Sequence, residues 1–582
     1  MSKGNEMVRL AAIAILLTSA GLYAQEHQRP PVAPPHETGA QTPPPPAAAP
    51  TTPPVETTSK TKHSIEIHGK TLAYTATAGT LILKKDDKPW ANMFYVAYTR
   101  DDVQGAATRP ITFAFNGGPG SSSVWLHLGA LGPKRVDMGP DGEQPKPPYR
   151  LVDNDDTALE FTDLVFIDPV TTGFSRAASG EQDKQFHGFD GDLESVAEFI
   201  RLYLTRFERW TSPKFLAGES YGTTRSAALS QYLLENDGIY LNGITLISTV
   251  LNFETISFAR GNDLPYALFL PTYTAAAWYH KKLPKELQAD LEKALGEARR
   301  FAGNEYTVAL MKGDKLTTPE RNNVVREMAR LTGLSEHYIE GSNLRVSEAR
   351  FTKELLRDQG KTLGRYDSRL EGEDVDAVGD EPDYDPSYAS VQGVFTAMFN
   401  NYVRADLKYE SDVPYQVLTG KVQPWNYDRF QNRYVNVAEM LREAMTQNPS
   451  LRVMIANGYY DLATPFFATE YTVNHIGLDP ALSNHISLTY CDAGHMLYTK
   501  KSCLDGLHGA MDDFYRKAFP ASSPTPAATR SRSARRAPAI TSTACCWATR
   551  TSCGRARCGC TRCSSRSPGS STCPAPASTA RP

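Results

Sequence analysis

The chain has 582 residues, 41% of them apolar and 10% aromatic, which suits one large domain with an insertion or two to three average ones and argues against global disorder. Its net charge of −3 conceals an asymmetry: the last 62 residues (521–582) hold ten Arg, no Lys and no acid, so the body before them is distinctly acidic. That body carries no electrostatic footprint for a nucleic-acid partner.

Lys3 and Arg9 flank the start of a short apolar stretch of about 13 residues, below the roughly 20 that span a bilayer. Small residues then lead to a cleavage site after Ala24, so residues 1–24 are predicted to be a signal peptide and the chain to be exported, periplasmic or extracellular, with no stable membrane insertion after cleavage. Met7 offers a second start for a tidier signal; an uncleaved anchor is the competing reading, disfavoured by length. Residues 25–62 are rich in Pro, Ala and Thr, include four consecutive prolines from Pro43 to Pro46, and read as a disordered linker.

Residues 63–100 alternate polar and apolar between turn signals, which predicts antiparallel strands at a sheet edge. Beyond Pro110 come short apolar runs at 111–115, 164–167, 215–217, 244–247 and 453–456, the pattern of strands buried on both faces. Helical spacing at 192–206 and 224–234 falls between some of them. The alternation predicts an α/β fold with a mostly parallel central sheet flanked by helices. Between 253 and 423 the rhythm breaks into charged, helix-like segments (284–301, 318–331, 347–356) and an acidic loop at 371–385. That loop offers carboxylates a calcium ion could use, but a solvated surface run is the preferred reading. The segment reads as a mainly helical cap inserted between two parts of the core, 63–252 and 424–520.

Seven of the nine cysteines fall in the tail, 521–582, with no His or acid and no paired zinc spacing. A disulfide knot is one reading; translation of GC-rich DNA in a shifted frame, giving a disordered and functionless tail, is preferred. The other two, Cys491 and Cys503, bracket His495, as a disulfide or as two free thiols.

The chemistry concentrates in Gly218-Glu219-Ser220-Tyr221-Gly222, set between an apolar strand and a helical run. A nucleophile there sits on a sharp turn at a helix N-terminus, which favours developing negative charge. A serine hydroxyl needs a base, and the base needs an acid to orient it, in the chain order Ser, Asp or Glu, His. Of the late histidines only His495 lies in a small-residue loop directly after a strand-like run; His475 and His485 read as surface or packing residues, and His508 as helical. Asp461, just past the 453–456 strand, is the preferred acid. Asp492 is the rival, three residues from His495, where loop hydrogen bonding is the more ordinary use. An oxyanion needs donors worth roughly 3–4 kcal/mol each; the backbone N–H groups of Gly118, in the loop after the 111–115 strand, and of Tyr221 are the candidates. That loop lacks the Lys-Ser/Thr ending of a phosphate cradle. Neither metal nor cofactor is called for.

Five segments in order resemble the serine carboxypeptidases, α/β-hydrolase-fold peptidases: Asn116-Gly-Gly-Pro-Gly-Ser-Ser122 with Leu131-Gly-Pro133, Phe166-Ile-Asp-Pro169 with Thr172-Gly-Phe-Ser175, Gly218-Glu-Ser-Tyr-Gly222, the Asp461 loop, and Ala493-Gly-His-Met496. The resemblance spans about residues 64–518. It implies Ser220, Asp461 and His495 as a catalytic triad, Gly118 and Tyr221 as the oxyanion hole, and Asn116, Gly117 and Glu219 as ligands of the substrate's C-terminal carboxylate. A carboxylate beside Glu219 requires one of the two groups to hold a proton, which implies release of C-terminal residues favoured at acid pH. Three positions depart from the family pattern: Ala114 replaces a Trp, Ala130 a Glu, and Ser121 a Cys. The leading expectation is a carboxypeptidase acting on peptides with a free C-terminus; an esterase or acyltransferase with the same triad, and an inactive binding protein on the same scaffold, are the alternatives.

Overall fold

The computed structural model describes residues 55–519, apart from 104, 106 and 107. The signal peptide at 1–24, most of the linker at 25–62 and the tail at 521–582 with its seven cysteines therefore lie outside the described residues.

One ten-stranded sheet organises the molecule. Its strands are β1 (Thr58–Ile67), β2 (Lys70–Lys85), β3 (Lys88–Arg100), β4 (Ile111–Phe115), β5 (Asp163–Ile167), β6 (Lys214–Ser220), β7 (Gly243–Thr249), β8 (Arg452–Gly458) and β9 (Ile486–Cys491), with the two-residue Arg176–Ala177 added on β3. They lie in the order β1-β2-β3-β5-β4-β6-β7-β8-β9. The pairs β1–β2, β2–β3 and β3–β5 are antiparallel, and every pair from β5 to β9 is parallel. This is the mostly parallel, helix-flanked sheet expected.

The antiparallel edge starts five residues earlier than the alternation at 63–100 suggests, inside the stretch assigned to the linker. Thr58 to Lys62 pair with Gly79 to Thr75, and their side chains alternate between exposed and half-buried. No buried apolar residue marks these positions, so only the pairing, not a hydrophobic face, makes them a strand.

The inner parallel strands are rich in apolar residues because both faces are covered, while the edge strand β9 has no fully buried position. β4, β5 and β7 are buried at every position. The longer helices are α1 (Phe189–Arg206), α2 (Tyr221–Asp237), α3 (Leu264–Tyr279), α4 (Leu291–Phe301), α5 (Thr318–Thr332), α6 (Glu348–Glu354), α7 (Pro386–Ala405), α8 (Ala438–Gln447), α9 (Phe466–Asn474) and α10 (Lys501–Ala518). Val196, Phe199 and Tyr203 of α1 and Leu229 and Leu233 of α2 pack with Phe113, Leu216, Ile244 and Ile455 on one face. On the other, Phe395 and Phe399 of α7 and Leu507 and Met511 of α10 pack with Phe166, Phe215 and Met454. A third cluster, including Phe269, Tyr273, Phe301, Met328 and Phe351, belongs to the inserted helices.

Within the insertion the helix expected at 284–301 is broken. Lys285–Gln288 is a separate short helix, and the Asp290 side chain caps α4 by accepting from Lys293 N at 3.1 Å. Two long helices, α3 and α7, carry no expectation from the sequence. The acidic loop is anchored by Lys353, whose buried ammonium donates to Asp374 Oδ2 at 2.6 Å and to the Asp376 carbonyl at 2.7 Å. Lys353 thus supplies the positive charge at the root of that loop. Residues 416–436 then run back over the core loops, bridging Gly173 through Gln416, Ser121 through Leu418, Gly188 through Asn426 and Asn252 through Asn436. No helix among the described residues is long and apolar enough to cross a membrane.

Cys491, ending β9, is disulfide-bonded to Cys503 near the start of α10, with Cα atoms 5.8 Å apart. Closing a 12-residue span restricts the unfolded chain. The double variant Cys491→Ser/Cys503→Ser is expected to lose about 2–3 kcal/mol of stability, read as a lower urea midpoint; an unchanged midpoint would count against any stabilising role for the bond.

Candidate active site

Ser220 stands where β6 gives way directly to α2, with φ 59° and ψ −129°, a backbone conformation that a residue with a side chain rarely adopts. The turn is possible because its neighbours lack side chains. A Cβ on Gly218 would fall 2.2 Å from the Gly222 carbonyl oxygen, and one on Gly117 only 2.3 Å from the Tyr221 amide nitrogen. The loop after β4 is therefore pressed onto the first turn of α2, whose leading N–H groups have no partners within the helix.

A buried ion pair fixes that contact. Arg225, one turn beyond the elbow, donates Nε and Nη2 to the two oxygens of Asp192 at 2.7 and 3.0 Å, and Nη1 to the Asn116 carbonyl at 2.7 Å. Both side chains are almost wholly buried, and the guanidinium lies 5.1 Å from the Phe115 ring centroid and 5.3 Å from that of Tyr221. Burial pushes the Asp192 carboxyl up, and Arg225 only partly restores it. The Asn116 side chain is held as well, its Oδ1 accepting from Leu126 N at 3.1 Å.

His495 lies in the loop after β9 and Asp461 in the loop after β8, neighbours because the two strands pair in parallel. Asp461 Oδ2 accepts from His495 Nδ1 at 2.8 Å. The remaining capacity of the carboxylate is filled: Oδ1 accepts from Ala463 N and Thr464 N at 2.8 and 2.9 Å, and Oδ2 also from Thr464 Oγ1 at 2.7 Å. Burial raises the Asp461 carboxyl, but the His495 ring and these donors outweigh it and hold it below its ordinary range. For His495 burial disfavours the imidazolium; the Asp461 carboxylate, with Glu219, outweighs burial and raises its affinity for a proton. Asp492, the rival acid, is exposed and pairs with Lys500 at 2.7 Å.

Ser220, His495, Asn116, Gly117, Gly118 and Glu219 line one narrow cavity of about 30 Å³, together with Trp125, Tyr366, Tyr388, Leu418 and Met496. Tyr221 is not among its lining residues; its ring is buried against Trp425 and Phe253. Tyr366, Tyr388 and Leu418 also border a larger neighbouring cavity of about 580 Å³. Burial pushes the Glu219 carboxyl up to about 7, with His495 and a hydrogen bond from Tyr498 pulling it down and Asp461 pushing it further up. The Asn116 amide nitrogen lies beside this pair without a hydrogen bond of good geometry to either.

Several contributors have no counterpart in the sequence reading. Tyr366 stacks on the His495 ring, centroids 5.0 Å apart, and its carbonyl accepts from His495 N at 2.6 Å. Ser248 Oγ donates to the His495 carbonyl at 2.6 Å. The roles of Tyr498, Asp192 and Arg225 likewise have no mark in the sequence pattern of the site. The two charges buried within helices are the one signal that could have found the last pair; nothing in the sequence marks Tyr366. The three departures from the family pattern are all buried: Ala114 in β4, Ala130 in the helical turn His127–Leu131, and Ser121, whose Oγ accepts from Trp125 Nε1 at 2.9 Å. Among the described residues the only cluster at metal-binding distances is Cys491, Asp492 and Cys503, in which both sulfurs are already joined to each other.

Residues 70–490 match the serine carboxypeptidase family. The chain belongs to that family. Among curated proteins it is similar to the pheromone-processing carboxypeptidase KEX1 of Saccharomyces cerevisiae, 36% identical over 135 residues, which are 22% of this chain and 17% of the yeast one. Serine carboxypeptidase-like 36 of Arabidopsis thaliana is 32% identical over 173 residues, 29% of this chain and 34% of the plant protein. These alignments span less than half the length of either relative. Among solved structures, the crystal structure of the yeast prohormone-processing carboxypeptidase Kex1(delta)p matches with a TM-score of 0.48 at 18% identity, covering 76% of this chain and 91% of that one. The resemblance carried by the five motifs is thus a family membership.

Replacing Arg225 by Met strands the buried Asp192 charge and frees the Asn116 loop. Arg225→Met is expected to cost about 3–5 kcal/mol, and the pair Asp192→Leu/Arg225→Met markedly less, both read by urea unfolding. Equal losses would mean that the ion pair is not what the contact depends on.

Proposed function

We propose that the chain is an exported serine-type carboxypeptidase that releases C-terminal residues from peptides through an acyl-enzyme. The observation that carries the reading is the buried Asp461–His495 pair opening onto the cavity where Ser220 sits on its positive-φ turn, with Glu219 in the same wall. With Nδ1 engaged by Asp461, the other ring nitrogen of His495 is the base. It takes the Ser220 hydroxyl proton as Oγ attacks the scissile carbonyl, and Asp461 stabilises the imidazolium that results. The Gly118 and Tyr221 amides receive the oxyanion. Collapse of the tetrahedral intermediate expels the C-terminal residue, whose amine takes the proton from His495; water, deprotonated by the same ring, then releases the acyl group and restores Ser220.

Asn116, Gly117 and Glu219 receive the substrate's terminal carboxylate. With its carboxyl near 7, Glu219 is largely protonated on the acid side and donates a hydrogen bond to that carboxylate. Above 7 it ionises and repels it. Export is supported by the signal-like N-terminus and by the Cys491–Cys503 disulfide, a bond characteristic of oxidising compartments.

A fluorophosphonate probe is expected to label the protein at Ser220 and to leave Ser220→Ala unlabelled; equal labelling of the variant ends the enzyme reading. An N-blocked dipeptide should be cleaved, with kcat/KM falling as pH rises through about 7, while its C-terminal amide resists. An enzyme indifferent to the free carboxylate is an esterase or acyltransferase instead.

A further inference from the structure

Tyr498 is fully buried, three residues beyond His495 in the short turn Leu497–Thr499. Its hydroxyl donates to Glu219 Oε2. The ring lies so close to the helical turn His127–Leu131 that a Cβ on Gly129 would fall 2.5 Å from its Cε2. The loop that carries His495 therefore also carries a phenol aimed at Glu219, and the phenol is held there from behind.

We propose that Tyr498 is a positioning residue for recognition of the substrate's terminal carboxylate, its hydroxyl occupying Glu219 Oε2 so that Oε1 is the oxygen that meets the substrate. The inference rests on the carboxypeptidase reading above. A phenol has a single hydrogen, and burial together with the Glu219 charge keeps it on Tyr498, whose pKa lies well above its ordinary value. Oε2 is then an acceptor whether or not Glu219 is ionised. The exchangeable proton of Glu219 has its place on Oε1, where it forms the hydrogen bond to an incoming carboxylate. Without the phenol the carboxyl is free to turn, and a buried oxygen is left unpaired.

The groups that face Glu219 come from every neighbouring element. They are Asp461 from the loop after β8, His495 and Tyr498 from the loop after β9, Asn116 from the loop after β4, and Tyr366 from the insertion. Removing the Tyr498 hydroxyl changes Glu219 and leaves the Asp461–His495 hydrogen bond in place. Because its hydrogen bond favours the carboxylate form, deleting it moves the Glu219 ionisation to higher pH.

The test compares wild type with Tyr498→Phe on an N-blocked dipeptide, its methyl ester and its amide, across pH 5 to 9, with fluorophosphonate labelling used to verify a reactive Ser220. For the free acid, KM is expected to rise about tenfold, the equivalent of one modest hydrogen bond, with the larger change in KM than in kcat. The preference for free acid over ester should fall by a similar factor, and the alkaline limb should move to higher pH. In a Glu219→Gln background the limb should be absent and Tyr498→Phe should shift nothing further. Gly129→Ala, which keeps the hydroxyl but displaces the ring, should move KM and the limb in the same direction and serves if Tyr498→Phe fails to fold. An unmoved limb with an unchanged acid-to-ester ratio overturns the role of Tyr498, as does an equal loss on acid and ester. A wild-type enzyme that cleaves the amide as readily as the acid defeats the carboxypeptidase reading itself, a separate outcome.

Discussion

The pressing of the Asn116–Gly118 loop onto the first turn of α2 is the contact on which the rest of the site depends. It brings two stretches a hundred residues apart close enough for both to contribute to one cavity, and it leaves no room for a side chain on Gly117 or Gly218. Close approach alone does not fix a loop. The fixing comes from Arg225, which spends one donor on the Asn116 carbonyl and two on Asp192. A buried charge pair contributes little net stability relative to an apolar substitute, but it penalises every arrangement in which one partner is unsatisfied. Here the unsatisfied arrangements are those in which the loop after β4, α1 and α2 are out of register with one another. The strained Ser220 backbone persists because these surroundings leave it no alternative.

A second set of contacts, from the insertion, does the same for the base and the acid. Residues 365–368 reach both loops: the Arg365 carbonyl accepts from Leu462 N, the Tyr366 carbonyl from His495 N, the Asp367 side chain from Gly494 N, and Ser368 N and Oγ donate to the Tyr460 carbonyl. The inserted helices are therefore more than a lid over a finished site. One short stretch between them sets the separation of the Asp461 and His495 loops, and the Tyr366 ring lies flat on the imidazole.

This division explains what was legible in the sequence. The strands from 111 to 456 announce themselves because burial on both faces demands unbroken apolar runs, and the elbow because only Gly-x-Ser-x-Gly tolerates its turn. Asp461 and His495 follow from their places just past strands. The insertion was legible only where its helices are amphipathic. α3 is buried at twelve of its sixteen positions and holds Pro271 in its interior, so it presents no polar face to set its period. The segment 284–301 keeps a helical period across the Asp290 cap, and periodicity alone does not show the break. Tyr366 and Tyr498 act through backbone placement and through a partner distant in the chain. An aromatic side chain in a loop looks the same in sequence whether it contacts an imidazole, an acid or nothing.

The electrostatics of the site follow from packing three ionisable side chains around Ser220 away from water. Asp461 keeps its charge because donors surround it, and that charge raises the proton affinity of His495. Glu219, with one phenolic donor and the same negative neighbour, is pushed the other way, toward the neutral acid. On the acid side of about 7 the two carboxyls near one histidine thus take opposite protonation states, because one is saturated with hydrogen-bond donors and the other is not. The arrangement is economical in charge. On the acid side of 7 the cavity has one carboxylate shielded behind the imidazole and one carboxylic acid at its wall. Adding donors around Glu219 would restore its charge. The sparse hydrogen bonding of Glu219 is therefore as much a part of the site as the dense hydrogen bonding of Asp461.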